Sequence, residues 1–145
     1  MKEGLERRMH IRGFRLQDYD AVVALWKECG LLLSASDTPE GMARKLERDA
    51  DLFLVVEEEH RLLGVIMGCY DGRRGWINHL AVAPAAQGRG IGSILLQEVE
   101  QRLLAKGCDK VNLLIEPENA DVQQFYLRAG YQRDELIFME KWLHR

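Results

Sequence analysis

The hydrophobic positions change period several times along the chain, and each change marks an element. Residues 9–14 alternate as a first strand. Val22, Leu25, Trp26 and Cys29 then stand at i, i+3, i+4 and i+7, which predicts an amphipathic helix ending at Gly30. A second helix is announced by Asp37, Thr38, Pro39 and Glu40, where a capping residue, a first-turn proline and an acid stand together. The segment 31–36 between these helices is a candidate substrate loop. Three strand-like runs follow, 52–56, 62–70 and 76–82, and their short polar or glycine-bearing connections favour an antiparallel meander.

The period then lengthens. Ile91, Ile94, Leu95, Val99 and Leu103 mark a helix that Gly107 terminates, and 111–115 is a further strand broken by Pro117. Val122, Phe125, Tyr126 and Ala129 mark a last helix ended by Gly130, and the apolar tail 131–142 is expected to close the sheet. Antiparallel strands first, then a strand-helix-strand-helix half, predict an α+β sandwich around a mixed, mostly antiparallel sheet. No repeat or linker divides the 145 residues, so one domain spanning 1–145 is expected.

Composition narrows the function classes. A net charge of -3 gives no electrostatic reason to expect a nucleic-acid partner. The apolar stretches are far shorter than a bilayer span and the start lacks an apolar signal core, so a cytoplasmic protein without a membrane partner is expected. Cys29, Cys69 and Cys108 are odd in number and widely spaced, and His10, His60, His79 and His144 form no metal-ligand pattern. Reduced core cysteines and no metal are therefore expected.

The candidate chemistry lies in one turn. Gln87, Gly88, Arg89, Gly90, Ile91 and Gly92 join a strand to the long helix. Side-chain-free residues at 88, 90 and 92 let the backbone approach a ligand and turn its N–H groups outward, with the positive end of a helix behind them, an arrangement suited to a diphosphate. A Walker loop would need a lysine that no glycine here precedes, and a GxGxxG fingerprint would need glycine where Ser93 stands. The plainer reading, glycines that only ease a tight turn, stands beside the phosphate one.

The spacing Gln-x-x-Gly-x-Gly after Leu80, Ala81, Val82, Ala83 and Pro84 resembles motif A of the GNAT superfamily of N-acetyltransferases, and Asn119 with the run from Phe125 to Tyr131 resembles its motif B. Within the superfamily the chain looks most like small bacterial members akin to the ribosomal-protein alanine acetyltransferases. The resemblance implies a GNAT-like central sheet flanked by helices on both faces and acetyl-CoA as cosubstrate. By position, the backbone of Gln87, Gly88, Arg89, Gly90, Ile91, Gly92 and Ser93 would hold the CoA pyrophosphate. The strand backbone at Leu80 and Val82 would pair with the pantetheine arm, and Asn119 would contact the cosubstrate from the other side.

The same resemblance makes Tyr126 the candidate acid for the departing thiolate; on the bare pattern it packs in a helical stripe. For the base, His79 lies on the strand that would hold the thioester and histidine titrates near neutrality, yet strict alternation puts it on the face opposite Asn78 and Leu80. In the alanine acetyltransferases a Glu often stands at the place of Leu114, which accepts no proton; Glu116, two residues on, or a water are the substitutes. Arg73, Arg74 and Arg89 are candidate contacts for adenosine phosphates or solvated charges, and Trp26 either lines the acceptor pocket or belongs to the core. The resemblance implies an N-acetyltransferase acting on a small-molecule or protein amine; the alternative is a CoA-binding regulatory module without catalysis. A monomer or homodimer is expected, since Leu136, Ile137, Phe138, Met139 and Trp142 of the tail suit a dimer interface as well as an internal sheet.

Overall fold

The computed structural model describes residues 8–144, which fall into two compact units divided between Leu114 and Ile115. The first unit carries β1 (Met9–Gly13), α1 (Tyr19–Glu28), α2 (Pro39–Asp49), β2 (Phe53–Glu58), β3 (Arg61–Tyr70), β4 (Gly75–Val82), α3 (Ile91–Ala105) and β5 (Val111–Leu113). The strands form one sheet in the order β1-β2-β3-β4-β5. The first four pair antiparallel and β5 runs parallel to β4, joined to it by the α3 crossover. This is the mixed, mostly antiparallel α+β arrangement expected from the period changes.

Both faces of the sheet are covered. On one, Val22, Leu25 and Trp26 of α1 and Met42 of α2 pack with Phe53, Val55, Val65, Met67 and Ala81. Trp26 and Phe53, with ring centroids 6.5 Å apart, are the largest fully buried side chains of this half of the core. On the other face α3 lies close against glycines. A Cβ on Gly64 would stand 2.8 Å from Ile91 Cγ2, one on Gly68 2.9 Å from Val99 Cγ1, and one on Gly75 2.7 Å from Leu103 Cδ1. The apolar row of the helix therefore sits in a trough of side-chain-free sheet positions, which fixes the height of α3 over the sheet.

Turn chemistry follows the sequence. At the end of α3, Cys108 N–H reaches back to Leu103 carbonyl while Gly107 takes the left-handed conformation, φ +91°. The hairpin between β2 and β3 is less orthodox: Glu58 pairs with Arg61, and both residues between them, Glu59 and His60, have positive φ (50° and 65°) with no glycine to relieve it.

The second unit carries a 3₁₀ turn, Pro117–Asn119, and α4 (Ala120–Arg128), which Gly130 ends at φ +97° with Tyr131 N–H bonded to Tyr126 carbonyl. The expectation that 131–142 closes the sheet is not met. These residues carry no strand, and Leu136, Ile137 and Met139 are at least 80% exposed. The physical reason is in the pattern: 136–139 is a continuous apolar run rather than a period-2 alternation, so a strand there would need cover on both faces.

Candidate active site

The glycine turn is built as the sequence predicts. After β4, Pro84–Ala86 forms a 3₁₀ turn, and Gly88 and Gly90 both lie in the left-handed region at φ +85° and +79°. A Cβ at either would meet nothing within 4 Å, so neither glycine is needed to avoid a neighbour; the backbone conformation and the open space in front of it account for both. Gly90 caps α3 with no side-chain hydrogen bond, and the first intrahelical acceptor it offers goes to Ile94 N–H at 3.0 Å. The N–H groups of Ile91, Gly92 and Ser93 precede any intrahelical acceptor and stand at the positive end of a helix of 15 residues, an arrangement that suits an anion. Arg89 turns elsewhere: its guanidinium grips the Glu58 carboxylate at 2.7 and 3.2 Å, which leaves its backbone as its contribution to the turn.

The strand edge needed beside that turn is also present. Pairing of β4 with β5 stops at Ile77 and Leu113, while β4 continues to Val82. Ala83 N–H bonds Leu63 carbonyl on β3 at 2.8 Å, so by alternation Val82 turns its N–H and C=O to the opposite, open edge, with Leu80 alike. The Val82 carbonyl is engaged there by Cys29 Sγ and by Gln87 Nε2, both at 3.3 Å, so its N–H is the group it has to offer. Burial pushes the Cys29 thiol up from its ordinary value, against the thiolate a nucleophile would need.

The departure from strict alternation is the finding that sequence reasoning missed. Met67 pairs with Asn78 and Val65 with Ala81, so two residues of β4, His79 and Leu80, oppose the single Ile66. His79 takes φ +50°, a conformation costing a non-glycine residue about 1–2 kcal/mol. Two contacts hold it there: Trp26 Nε1 donates to the His79 carbonyl at 3.0 Å, and the His79 ring sits edge-on to the indole at 4.9 Å. The bulge resets the face, so His79 and Asn78 line the same cleft, about 480 Å³, with Ser34, Asp37, Met42 and Arg44. Trp26 is itself fully buried, a core residue that also fastens the bulge.

Asp37 belongs to this cleft and was hidden among the capping signals. Thr38 is the N-cap of α2, its hydroxyl accepting from Gly41 N–H at 3.1 Å, which frees Asp37 for other partners. Its Oδ2 accepts from Ser34 N–H at 2.8 Å, its Oδ1 lies 3.0 Å from His79 Nε2, and its carbonyl accepts from Tyr19 Oη at 2.6 Å. Burial acts to raise its carboxyl, but the bonds from His79 and Ser34 prevail and hold it below the ordinary carboxylate value. The Ser34-x-x-Asp37 spacing is a local signal for this turn; nothing local points to a partner 42 residues away.

In the second unit, Tyr126 is buried, with Phe125 and Tyr131 edge-on to its ring at 5.0 and 5.5 Å. Burial pushes its phenol up to about 12, so it holds its proton at neutral pH. Asn119 caps α4 without using its side chain, and Glu116 is exposed. Leu114, at the end of the first unit, is 60% exposed. Among the described residues no group of His, Cys, Asp or Glu is placed to hold a metal ion, and no helix is long and apolar enough to cross a membrane.

Comparison with known proteins points to one family. Residues 17–131 match the sequence profile of the Acetyltransferase (GNAT) family. An acetyltransferase of Pectobacterium atrosepticum is 40% identical over 135 residues, 93% of this chain and 96% of its own length. The fold is similar to that of Ard1 from Thermoplasma volcanium, TM-score 0.76 at 20% identity over 85% of this chain and 82% of that one. It is similar too to the paia N-acetyltransferase of Thermoplasma acidophilum, solved in complex with coenzyme A, TM-score 0.74 at 20% identity over 89% and 92%. At such identities the two structures speak for the fold alone.

Proposed function

We infer from one premise, that this chain belongs to the acetyltransferase (GNAT) family, that it moves an acetyl group from acetyl-CoA directly to a primary amine. The observation that carries the reading is the pair of left-handed glycines facing open space at the start of α3, beside a strand edge that outruns its neighbour. The N–H groups of Ile91, Gly92 and Ser93, with the backbone from Gln87 to Gly90, bind the pyrophosphate. The β4 edge at Leu80 and Val82 accepts the pantetheine arm as an added strand. The neighbour that binds coenzyme A supports the same choice of ligand.

The thioester brings an already activated acyl group, so the chain has only to position the amine, take its proton and supply one to the thiolate. A C–N bond forms as the C–S bond breaks. His79, in the cleft with Asn78, takes the proton the amine loses and passes it to water. Tyr126, which keeps its proton at neutral pH, gives it to the sulfur and recovers one from solvent. Glu116, exposed and in the second unit, is the weaker candidate base. The acceptor is a small-molecule or protein amine, without nucleic acid, membrane or metal, and the enzyme works as a monomer or homodimer in the cytoplasm, where Cys29, Cys69 and Cys108 stay reduced.

One feature favours the other reading, a CoA-binding module without catalysis: Leu114 offers no base at a place where relatives of the expected kind use one. A thiol-release assay with acetyl-CoA and a panel of amino acids, polyamines and peptides separates the two. Free CoA should appear with at least one amine, and Tyr126→Phe should slow that turnover about a hundredfold or more while CoA binding stays within about twofold. Tight CoA binding with no thiol release across the panel would establish the module instead.

A further inference from the structure

We propose that Asp37 is the positioning residue for His79: it fixes the imidazole proton on Nε2 and so leaves Nδ1 as the nitrogen that accepts the amine's proton. The assignment rests on His79 acting as the base. Its own support is geometric. The 3.0 Å contact between His79 Nε2 and Asp37 Oδ1 joins a turn between α1 and α2 to a bulge in β4. Each partner is separately immobilised. Asp37 is held by the Ser34 N–H on its other carboxylate oxygen and by Tyr19 on its carbonyl, and His79 by Trp26 on its carbonyl and against its ring.

A carboxylate offers only acceptors, so an imidazole nitrogen bonded to it must carry the proton, and the other nitrogen keeps its lone pair. Asp37 is only 8% exposed, so little water competes for that bond, while the His79 side chain keeps a quarter of its surface, open to the cleft. When Nδ1 takes a proton the imidazolium forms beside a fixed negative charge, which favours the transfer. The other charged groups of the cleft come from one face of α2. Lys45 is held by Asp49 and the Gly68 carbonyl, Arg48 by the Tyr70 carbonyl and Asp49, and Arg44 is exposed. None of these is an acceptor, and among the described residues Asp37 is the one carboxylate lining the cleft with His79.

A role limited to holding the loop together predicts a different set of measurements. Asp37→Asn keeps the size and one acceptor oxygen but removes the charge. It should lower kcat for the fastest amine of the panel about tenfold to a hundredfold, move the acidic limb of the pH–rate profile to lower pH, and leave CoA affinity within about twofold. His79→Gln should cost at least as much, and adding Asp37→Asn to it should cost little more, because the two act as one unit. Nitrogen-15 NMR of the wild-type protein near pH 8, which needs no turnover, should find the neutral His79 proton on Nε2. A proton on Nδ1, an unmoved pH profile in Asp37→Asn, or independent, multiplying losses in the double variant would each overturn the proposal. A protein that binds CoA but acetylates nothing would refute the catalytic reading of the fold while the NMR result still decided the tautomer.

Discussion

Replacing Gly90 by alanine tests the phosphate turn more sharply than removing any side chain, because the turn works through backbone. Gly90 sits at φ +79°, ψ 13°, where an L-residue with a Cβ loses about 1–2 kcal/mol. Alanine recovers about 0.4–1 kcal/mol by restricting the unfolded chain, so the net loss is about 1 kcal/mol, or about 2–4 °C in Tm for a chain of this size. The added methyl meets no protein atom within 4 Å, so no steric clash adds to that figure. It does point into the space where the pyrophosphate is proposed to lie. Losing one hydrogen bond to a charged oxygen there costs about 1.5–3 kcal/mol, which is about ten- to a hundredfold in the Kd for CoA. Gly72, in the hairpin between β3 and β4, provides the control: φ is +98° and its Cβ would also meet nothing. Gly72→Ala should melt as early as Gly90→Ala and bind CoA like the wild type in calorimetric titration. Equal CoA affinities in the two variants would refute the phosphate assignment while leaving the strain argument intact.

Two further outcomes follow from other parts of the structure. Arg12 joins Asp18 to Glu57 at 2.8 and 2.6 Å with 14% of its side chain exposed, and the Arg12 bond holds the Asp18 carboxyl below its ordinary value. A depressed carboxyl adds stability above its unfolded value, near 3.8, and loses it as pH falls through the folded one. Arg12→Met should therefore melt several degrees below the wild type at pH 7, in scanning calorimetry, with the gap narrowing as pH falls below the ordinary carboxyl value of 3.8. In the β2–β3 hairpin, Glu59→Asn with His60→Gly should raise stability by about 1 kcal/mol in urea titration, since both positions hold a left-handed backbone that those residues accept.

The period of the apolar positions reported the elements well because burial of each face is what selects them. Leu95, Val99 and Leu103 had to share a stripe for α3 to lie in its glycine trough, and the stripe is visible in the letters. The glycine turn was legible for a related reason: positive φ at 88 and 90 restricts the residue choice at those positions. Alternation failed at His79 because a bulge is fixed by pairing with β3 and by Trp26, both distant in sequence. Asp37 was legible as part of a helix start and illegible as a histidine partner. The tail was misread because hydrophobicity marks a need for cover without saying that the chain supplies it. The parts given to Asn119 and Tyr126 came from family likeness, since a bare helical stripe says only that a tyrosine packs.

The bulge in β4 has a consequence for redesign. A regular strand offers a binding face every second residue, so neighbouring positions serve different surfaces and evolve separately. Here Asn78 and His79, consecutive in the chain, look into one cavity. A library varied at that dipeptide reshapes a single wall with one short stretch of gene. Deleting one residue from the bulge would restore strict alternation, so that consecutive positions there again face opposite sides and only one of them serves the cavity.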